Sequence, residues 1–179
     1  MKKITIVIPA PLDKNIPIDV LKTINNKKVK VIIERGSNPS QQRNKGIKRA
    51  RTELVAFTNI HSKLSKSWYE EVIKFFEKNK NIDAVGGPQF TEDDEKAFGR
   101  ASGYALKSTF GSAVVSKRYN GKEEIMNADE TMITSANLIC RKKVFKKVMF
   151  NEKLYPGEDP KFVEDLKSNG LRVAYSPKI

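Results

Sequence analysis

The chain has 179 residues, of which 39% are hydrophobic and 31% charged, a balance that excludes a disordered protein and predicts one soluble domain with a single core. The only cysteine, Cys140, excludes an internal disulfide, and the lack of a signal peptide or a membrane-spanning run predicts a cytoplasmic protein. The net charge of +13 predicts attraction to polyanions, a class that includes nucleic acid, anionic lipid and phosphorylated substrates.

The first half of the chain predicts strands that alternate with helices. Apolar runs bounded by turn residues are typical of buried strands, and they occur over residues 3–9, 29–34, 53–58 and 82–86. Helices are predicted over residues 17–25, from Ser37-Asn38-Pro39 to about residue 51, and after Ser67, which forms a capping box with Glu70. Such alternation with short connections predicts an α/β fold with a mostly parallel sheet.

The second half is less regular and contains two adjacent carboxylates, Glu158 and Asp159, after a Pro-Gly turn and before a short amphipathic helix. Asp159 can cap this helix, because its carboxylate can accept from free N–H groups and Pro160 suits the first helical position. Phe162 and Leu166 would then face the core from one side of the helix. The other interpretation is a general base held at the edge of a cleft. This segment alone favours the helix cap.

In open α/β sheets, ligands bind beyond the carboxyl ends of the strands. In this chain that rule selects Pro9-Ala10, the loop that begins at Glu34, Asn59-Ile60-His61 and Gly86-Gly87. No Gly-rich dinucleotide motif, P-loop or nucleophile-elbow serine is present, so the sequence argues against those three classes of enzyme.

Short motifs follow one another along nearly the whole chain, at residues 9–10, 33–37, 42–46, 57–61, 68, 85–88, 135–137, 141–145 and 157–159. Their types and order resemble those of family 2 glycosyltransferases. The resemblance implies a GT-A fold, a Rossmann-like three-layer α/β/α arrangement around a mostly parallel sheet. It also implies one domain over residues 1–179, with a nucleotide-sugar-binding half at 1–90 and an acceptor-binding half at 91–179. Residues 100–112 resemble members that act on cell-surface polysaccharide or glycolipid acceptors.

The resemblance assigns the acidic pair to catalysis. Asp159 matches the base that deprotonates an acceptor hydroxyl for inverting attack on the anomeric carbon, with Glu158 as its neighbour. A sugar hydroxyl is a poor nucleophile, so a positioned carboxylate contributes directly to its activation. The donor implied is a nucleotide-diphosphate sugar, and the acceptor implied is a glycan or a lipid-linked sugar.

The resemblance also implies a nucleotide-sugar-binding set of Pro9, Ala10, Glu34, Arg43, Asn44, Asn59 and Gly87. Pro9 and Ala10 would border the nucleobase, and Glu34 would accept from the base or ribose. Arg43 and Asn44 match the family's Arg-Asn pair near the nucleotide. From the residues alone, Pro9 equally ends a strand, Glu34 is equally a surface charge, and Arg43 is equally a solvated helix residue.

The chain departs from the family at the metal motif. Members usually have Asp-x-Asp after the third strand, where the carboxylates hold a divalent metal such as Mg²⁺ or Mn²⁺, whereas this chain has Asn59-Ile60-His61. His61 is either a ligand for Mn²⁺ or a softer metal, or a hydrogen-bonding surface residue. Three outcomes stay open: weak metal binding, replacement of the metal by cations such as Lys63 and Lys66, and loss of transferase activity.

Two other functions stay open at this stage. One is a catalytically silent relative that binds a nucleotide sugar or glycan. The other is a nucleic-acid-binding domain, which only the charge suggests, because neither a recognition helix nor aromatics interleaved on a basic strand are evident. Aromatic and basic residues between 98 and 110 predict either an active-site lid or a peripheral contact with the anionic inner face of the membrane. Family members usually continue beyond the position of Ile179, so we expect a truncated or minimal form.

Overall fold

The computed structural model describes residues 3–24, 27–90, 119 and 122–179, and within them a six-stranded sheet forms the centre. The strands are β1 (Ile4–Ala10), β2 (Val29–Arg35), β3 (Leu54–Thr58), β4 (Ala84–Gly86), β5 (Asn137–Arg141) and β6 (Val173–Tyr175). Their order is β2-β1-β3-β5-β4-β6, and β5 runs antiparallel to both of its neighbours while the other pairs are parallel. The predicted mostly parallel sheet is therefore confirmed, with one reversed strand in its interior.

Helices cover both faces of the sheet. They are α1 (Ile18–Thr23), α2 (Pro39–Arg49), α3 (Trp68–Lys78) and α4 (Glu158–Ser168), with a 3₁₀ helix over Lys142–Lys146. Alternate residues of β1 divide between two cores, because side chains along a strand point to opposite faces. Ile4, Ile6 and Ile8 pack with α1 and α3, whereas Val7 packs with α2 and α4. This is the predicted three-layer α/β/α arrangement.

Two helix starts show how the local backbone decides capping. Asn38 precedes α2 with an extended backbone, φ −118° and ψ 106°, and its side chain accepts from the Gln41 N–H at 3.1 Å. Ser67 precedes α3 with a helical backbone, φ −89° and ψ −3°, and makes no side-chain cap bond. The predicted capping box of Ser67 and Glu70 is therefore wrong, since a cap side chain reaches the first turn from an extended residue.

The predicted element boundaries are close to the observed ones. The α3 helix buries Trp68, Val72, Phe75 and Phe76 on the predicted core face. The fourth strand is shorter than predicted and begins at Ala84. Residues 98–112, which carried the acceptor resemblance and the predicted lid or membrane contact, lie outside the described residues. Among the helices that the structure describes, none has both the length and the apolar character needed to cross a bilayer.

Candidate active site

The carboxyl ends of the parallel strands meet at one edge of the sheet, where a cleft of about 690 Å³ opens. The loop after β3, the segment after β4, the start of β5 and the residues after β6 form its walls. Side chains with polar or charged groups in this lining include Asn59, His61, Lys63, Gln89, Asn137 and Lys178. Asn59 and His61 therefore lie where the sequence placed a ligand site, and both are exposed.

Asn137 joins three walls of this cleft. Its Nδ2 donates to the carbonyl oxygens of Pro88 at 3.3 Å and Ile179 at 3.0 Å, and its Oδ1 accepts from Trp68 Nε1 at 3.2 Å. Gly87 lies against this junction: a Cβ there would lie closer than 3.0 Å to the Ile179 carbonyl oxygen and to Asn137 Nδ2. Gly87 thus allows two segments of backbone to approach closely. Asn137 connects the walls of the cleft, and the sequence analysis included it only within the motif at residues 135–137.

The helix-cap interpretation of Asp159 is wrong. Gly157 holds the cap position with φ 108°, a left-handed conformation that glycine adopts readily, and α4 already begins at Glu158. Asp159 is therefore inside the first turn, and no side chain caps the helix. Its Oδ2 instead accepts from the backbone N–H of Ser135 at 3.1 Å. The carboxylate is bound to a different part of the chain, two residues before β5.

Arg43 meets both carboxylates from α2. Its Nη1 lies 3.1 Å from Glu158 Oε1 and 3.6 Å from Asp159 Oδ1. The exposed fractions of the Arg43, Glu158 and Asp159 side chains are 5%, 10% and 21%. The guanidinium also lies over the Phe150 ring, 5.2 Å from its centroid, which is a cation–π distance. Arg43 is therefore not a solvated helix residue, and it lies with the predicted base.

The residues on either side of Arg43 connect α2 to the surrounding loops. Asn44 donates to the Phe150 carbonyl oxygen at 2.9 Å and accepts from the Phe150 N–H at 3.1 Å. It also donates to Glu152 Oε1 at 2.8 Å. Gln42, which the sequence prediction did not select, donates to the carbonyl oxygens of Ala10 and Glu34, each at 2.6 Å. Asn44 thus fixes the segment that leads to the acidic pair, and Gln42 joins the ends of β1 and β2.

The predicted nucleotide-sugar-binding residues lie at the β1–β2 end, on α2 and at the cleft. Pro9, Ala10 and Glu34 are neighbours at the paired ends of β1 and β2, and the Glu34 carboxylate forms an ion pair with Arg49. Asn59 lines the cleft, and Gly87 lies against the lining residues Asn137 and Ile179. The cleft lining does not include the other members of the set, which are Pro9, Ala10, Glu34, Arg43 and Asn44. Asn59 and Gly87 therefore lie at the cleft, and Pro9, Ala10 and Glu34 lie at the β1–β2 end, to which Gln42 links the helix of Arg43 and Asn44.

Among the described residues, the cleft lacks a donor set that fits a divalent metal. No acidic side chain lines the cleft among the described residues, and no group of three or more His, Cys, Asp or Glu residues elsewhere in that part of the chain could hold a metal ion. Hard cations prefer carboxylate oxygens, and an exposed amide with an imidazole is a poor substitute. The cleft has lysines instead. Lys63 lies 3.0 Å from Asp19 on α1, and its hydrogen bond lowers the pKa of that carboxyl group.

Cys140 is ruled out as a nucleophile by its position. It lies in the middle of β5 and is fully buried, and burial raises the pKa of its thiol far above the usual range. The thiolate, which is the reactive form of cysteine, is therefore suppressed.

Comparison with known proteins assigns the family. The profile described as Glycosyl transferase family 2 matches residues 16–149, three quarters of the chain. The chain belongs to glycosyl transferase family 2. The matched range includes Arg43, Asn44, Asn59 and Gly87, whereas the acidic pair lies after its end. Comparison with curated protein sequences gives no match.

Solved structures confirm the GT-A fold expected of a family 2 glycosyltransferase. S. aureus TarS superimposes with a TM-score of 0.70 at 15% sequence identity, over 98% of this chain and 35% of TarS. A197 from STIV gives a TM-score of 0.66 at 12% identity, over 98% of this chain and 82% of A197. The complex of TarS 1–349 with UDP-GlcNAc gives 0.63 at 15% identity, over 99% of this chain and 59% of that one. The chain thus spans about a third of the TarS chain in the first of these structures.

Proposed function

We propose that this domain transfers a sugar from a nucleotide-diphosphate sugar to an acceptor hydroxyl with inversion, and that Asp159 is the general base. The observation that carries the proposal is that the Asp159 carboxylate does not cap α4 and binds a different part of the chain. Its carboxylate is held by Ser135 from one side and by Arg43 from another, close to the edge of the sheet at which the cleft opens. Family membership supports the reaction class, and the UDP-GlcNAc complex of TarS supports a nucleotide sugar as donor.

The two oxygens of Asp159 are not equivalent. Oδ1 is buried near Arg43 and has no hydrogen-bond partner, while Oδ2 accepts one backbone N–H. A carboxylate oxygen can accept a second hydrogen bond, and 21% of the side chain is exposed although Oδ1 is not. We therefore assign proton transfer to Oδ2. The acceptor O–H proton moves to it as the acceptor oxygen bonds to the anomeric carbon and the bond to the leaving phosphate breaks.

The Thr134–Asn137 segment couples the base to the cleft. Ser135 holds Asp159 through its N–H, while Ala136 and Asn137 line the cleft. Gln89, another lining residue, hydrogen-bonds to the Thr134 hydroxyl. A donor in the cleft would therefore place its sugar close to the segment that holds the base. This supports the cleft, and not the β1–β2 end alone, as the site of the donor diphosphate.

The charge of the leaving diphosphate needs stabilisation, and the cleft supplies lysines. Lys63 and Lys178 lie in its lining. Cations stabilise developing negative charge. No step is routed through a metal, because the donor set at Asn59 and His61 does not fit one. A glycan or lipid-linked sugar is the acceptor class that we propose.

The test has two parts. Isothermal titration with a panel of UDP-, GDP- and dTDP-sugars identifies the donor, and proton NMR of the product anomer, with water and alkyl glycosides as acceptors, gives the stereochemistry. We expect micromolar to millimolar binding of one nucleotide class and an inverted anomer. Absence of binding for the whole panel overturns the proposed function, and binding without turnover supports the catalytically silent relative. A retained anomer contradicts the direct displacement.

A further inference from the structure

We propose that Arg43 and Glu158 are positioning residues, a buried pair that orients the Asp159 carboxylate and does not contact the nucleotide. This inference rests on the proposed function, since it gives the pair a role only if Asp159 is the base. It replaces the role near the nucleotide that the sequence resemblance implied for Arg43. The Arg43-Glu158 pair, as we call it below, joins two helices that are 115 residues apart in sequence.

Arg43 is buried from solvent, including its Nε, which has no hydrogen-bond partner, so a phosphate does not reach it without displacing neighbouring groups. Its Nη1 is shared by the two carboxylates, its guanidinium lies over Phe150, and the residue is only 4% exposed. It is also absent from the lining of the cleft. A phosphate would have to displace Glu158, and displacement would leave that carboxylate buried without its partner.

The two carboxylates share the Arg43 guanidinium unequally. Glu158 takes the close contact at 3.1 Å, and Asp159 keeps the longer one at 3.6 Å. The longer contact directs Asp159 Oδ1 toward Arg43. This leaves Asp159 Oδ2, which accepts only the Ser135 N–H, as the oxygen for the acceptor hydroxyl.

The Arg43-Glu158 pair is held in place by contacts with Phe150. Asn44 binds both the N–H and the carbonyl oxygen of Phe150, and the Phe150 ring supports the Arg43 guanidinium. The Phe150 ring also stacks on the Phe162 ring of α4, with centroids 4.0 Å apart. The α2 and α4 helices are thus locked together around the base, which is the preorganisation that a general base needs.

The test compares conservative variants in nucleotide affinity and in turnover. Arg43→Lys keeps the charge but loses the planar fork, and Glu158→Gln keeps the shape but loses the charge. For the donor that the panel identifies, we expect the dissociation constant of both variants to stay within about twofold and kcat to fall by about tenfold or more. Lys45→Gln, which removes an exposed charge from the same helix, is the control and should leave both values unchanged.

A double variant separates positioning from folding. Arg43→Met combined with Glu158→Met removes both charges of the close ion pair at once. Asp159 then loses its cation, but its side chain is 21% exposed and its Oδ2 still accepts from the Ser135 N–H. We expect the double variant to fold and bind the nucleotide, with kcat as low as in the single variants. Wild-type kcat in the double variant overturns the inference, and so does a tenfold loss of nucleotide affinity in Arg43→Lys. If the wild-type protein binds no nucleotide sugar, the proposed function fails and this inference with it.

Discussion

Two regions lie at the same end of the molecule but differ in structure: the proposed base region, around Glu158 and Asp159, and the metal-motif region, at Asn59 and His61. In the base region, Glu158 and Asp159 are held by a buried arginine, a backbone N–H and stacked aromatic rings. In the metal-motif region, Asn59 and His61 are exposed on a loop. The difference shows that this chain holds a carboxylate firmly beside the cleft while the loop at residues 59–61 has no carboxylate at all.

The largest expected effect tests the rigidity of the base region. Arg43→Ala leaves the buried Glu158 and the partly exposed Asp159 without their cation, and we expect it to lower the free energy of unfolding by about 3–5 kcal/mol. In the metal-motif region, His61→Ala removes an exposed side chain and should change the free energy of unfolding by less than about 0.5 kcal/mol. Urea denaturation followed by circular dichroism measures both. Equal losses in the two variants would remove the distinction between the regions.

The next largest effect is expected at the cleft wall formed by Gly87, Asn137 and Ile179. Gly87→Ala would push a Cβ into the Ile179 carbonyl oxygen and the Asn137 side chain, and we expect a loss of about 1–3 kcal/mol in stability. Gly36→Ala is the matched control, because a Cβ there meets only the Gln42 side chain at ordinary contact distance. Thermal unfolding compares the two variants. A Gly87→Ala variant as stable as the wild type would show that the contacts among Gly87, Asn137 and Ile179 are not rigid.

These contrasts show which parts of the molecule could be predicted from sequence. The first four strands and the core face of α3 follow from local periodicity, and the GT-A fold was inferred from the order of the motifs. The reversed strand β5 was not predicted, because its pairing with β3 and β4 joins distant parts of the chain. The start of α4 was misplaced because Gly157 takes a left-handed conformation, which let α4 begin before Asp159. The partner of Arg43 lies more than a hundred residues away, and a local pattern contains no information about such a contact.

The smallest expected effect comes from introducing the family's Asp-x-Asp motif at residues 59–61. Asn59→Asp combined with His61→Asp would give the cleft two carboxylates of the kind that hard cations prefer. We expect Mn²⁺ to raise the nucleotide affinity of this double variant by about tenfold, and to change that of the wild type by less than about twofold. Isothermal titration with Mn²⁺ and with EDTA measures the difference. Loss of wild-type binding in EDTA would contradict our interpretation of the cleft.

The most direct test of the central claim is single-turnover kinetics of Asp159→Asn with the identified donor, together with its nucleotide affinity. Glu164→Gln, an exposed carboxylate on the same helix, is the control. If Asp159 is the general base, its variant binds the nucleotide within about twofold of the wild type and loses at least about 100-fold in the rate of sugar transfer, while the control loses neither. Transfer by Asp159→Asn at the wild-type rate would contradict the account.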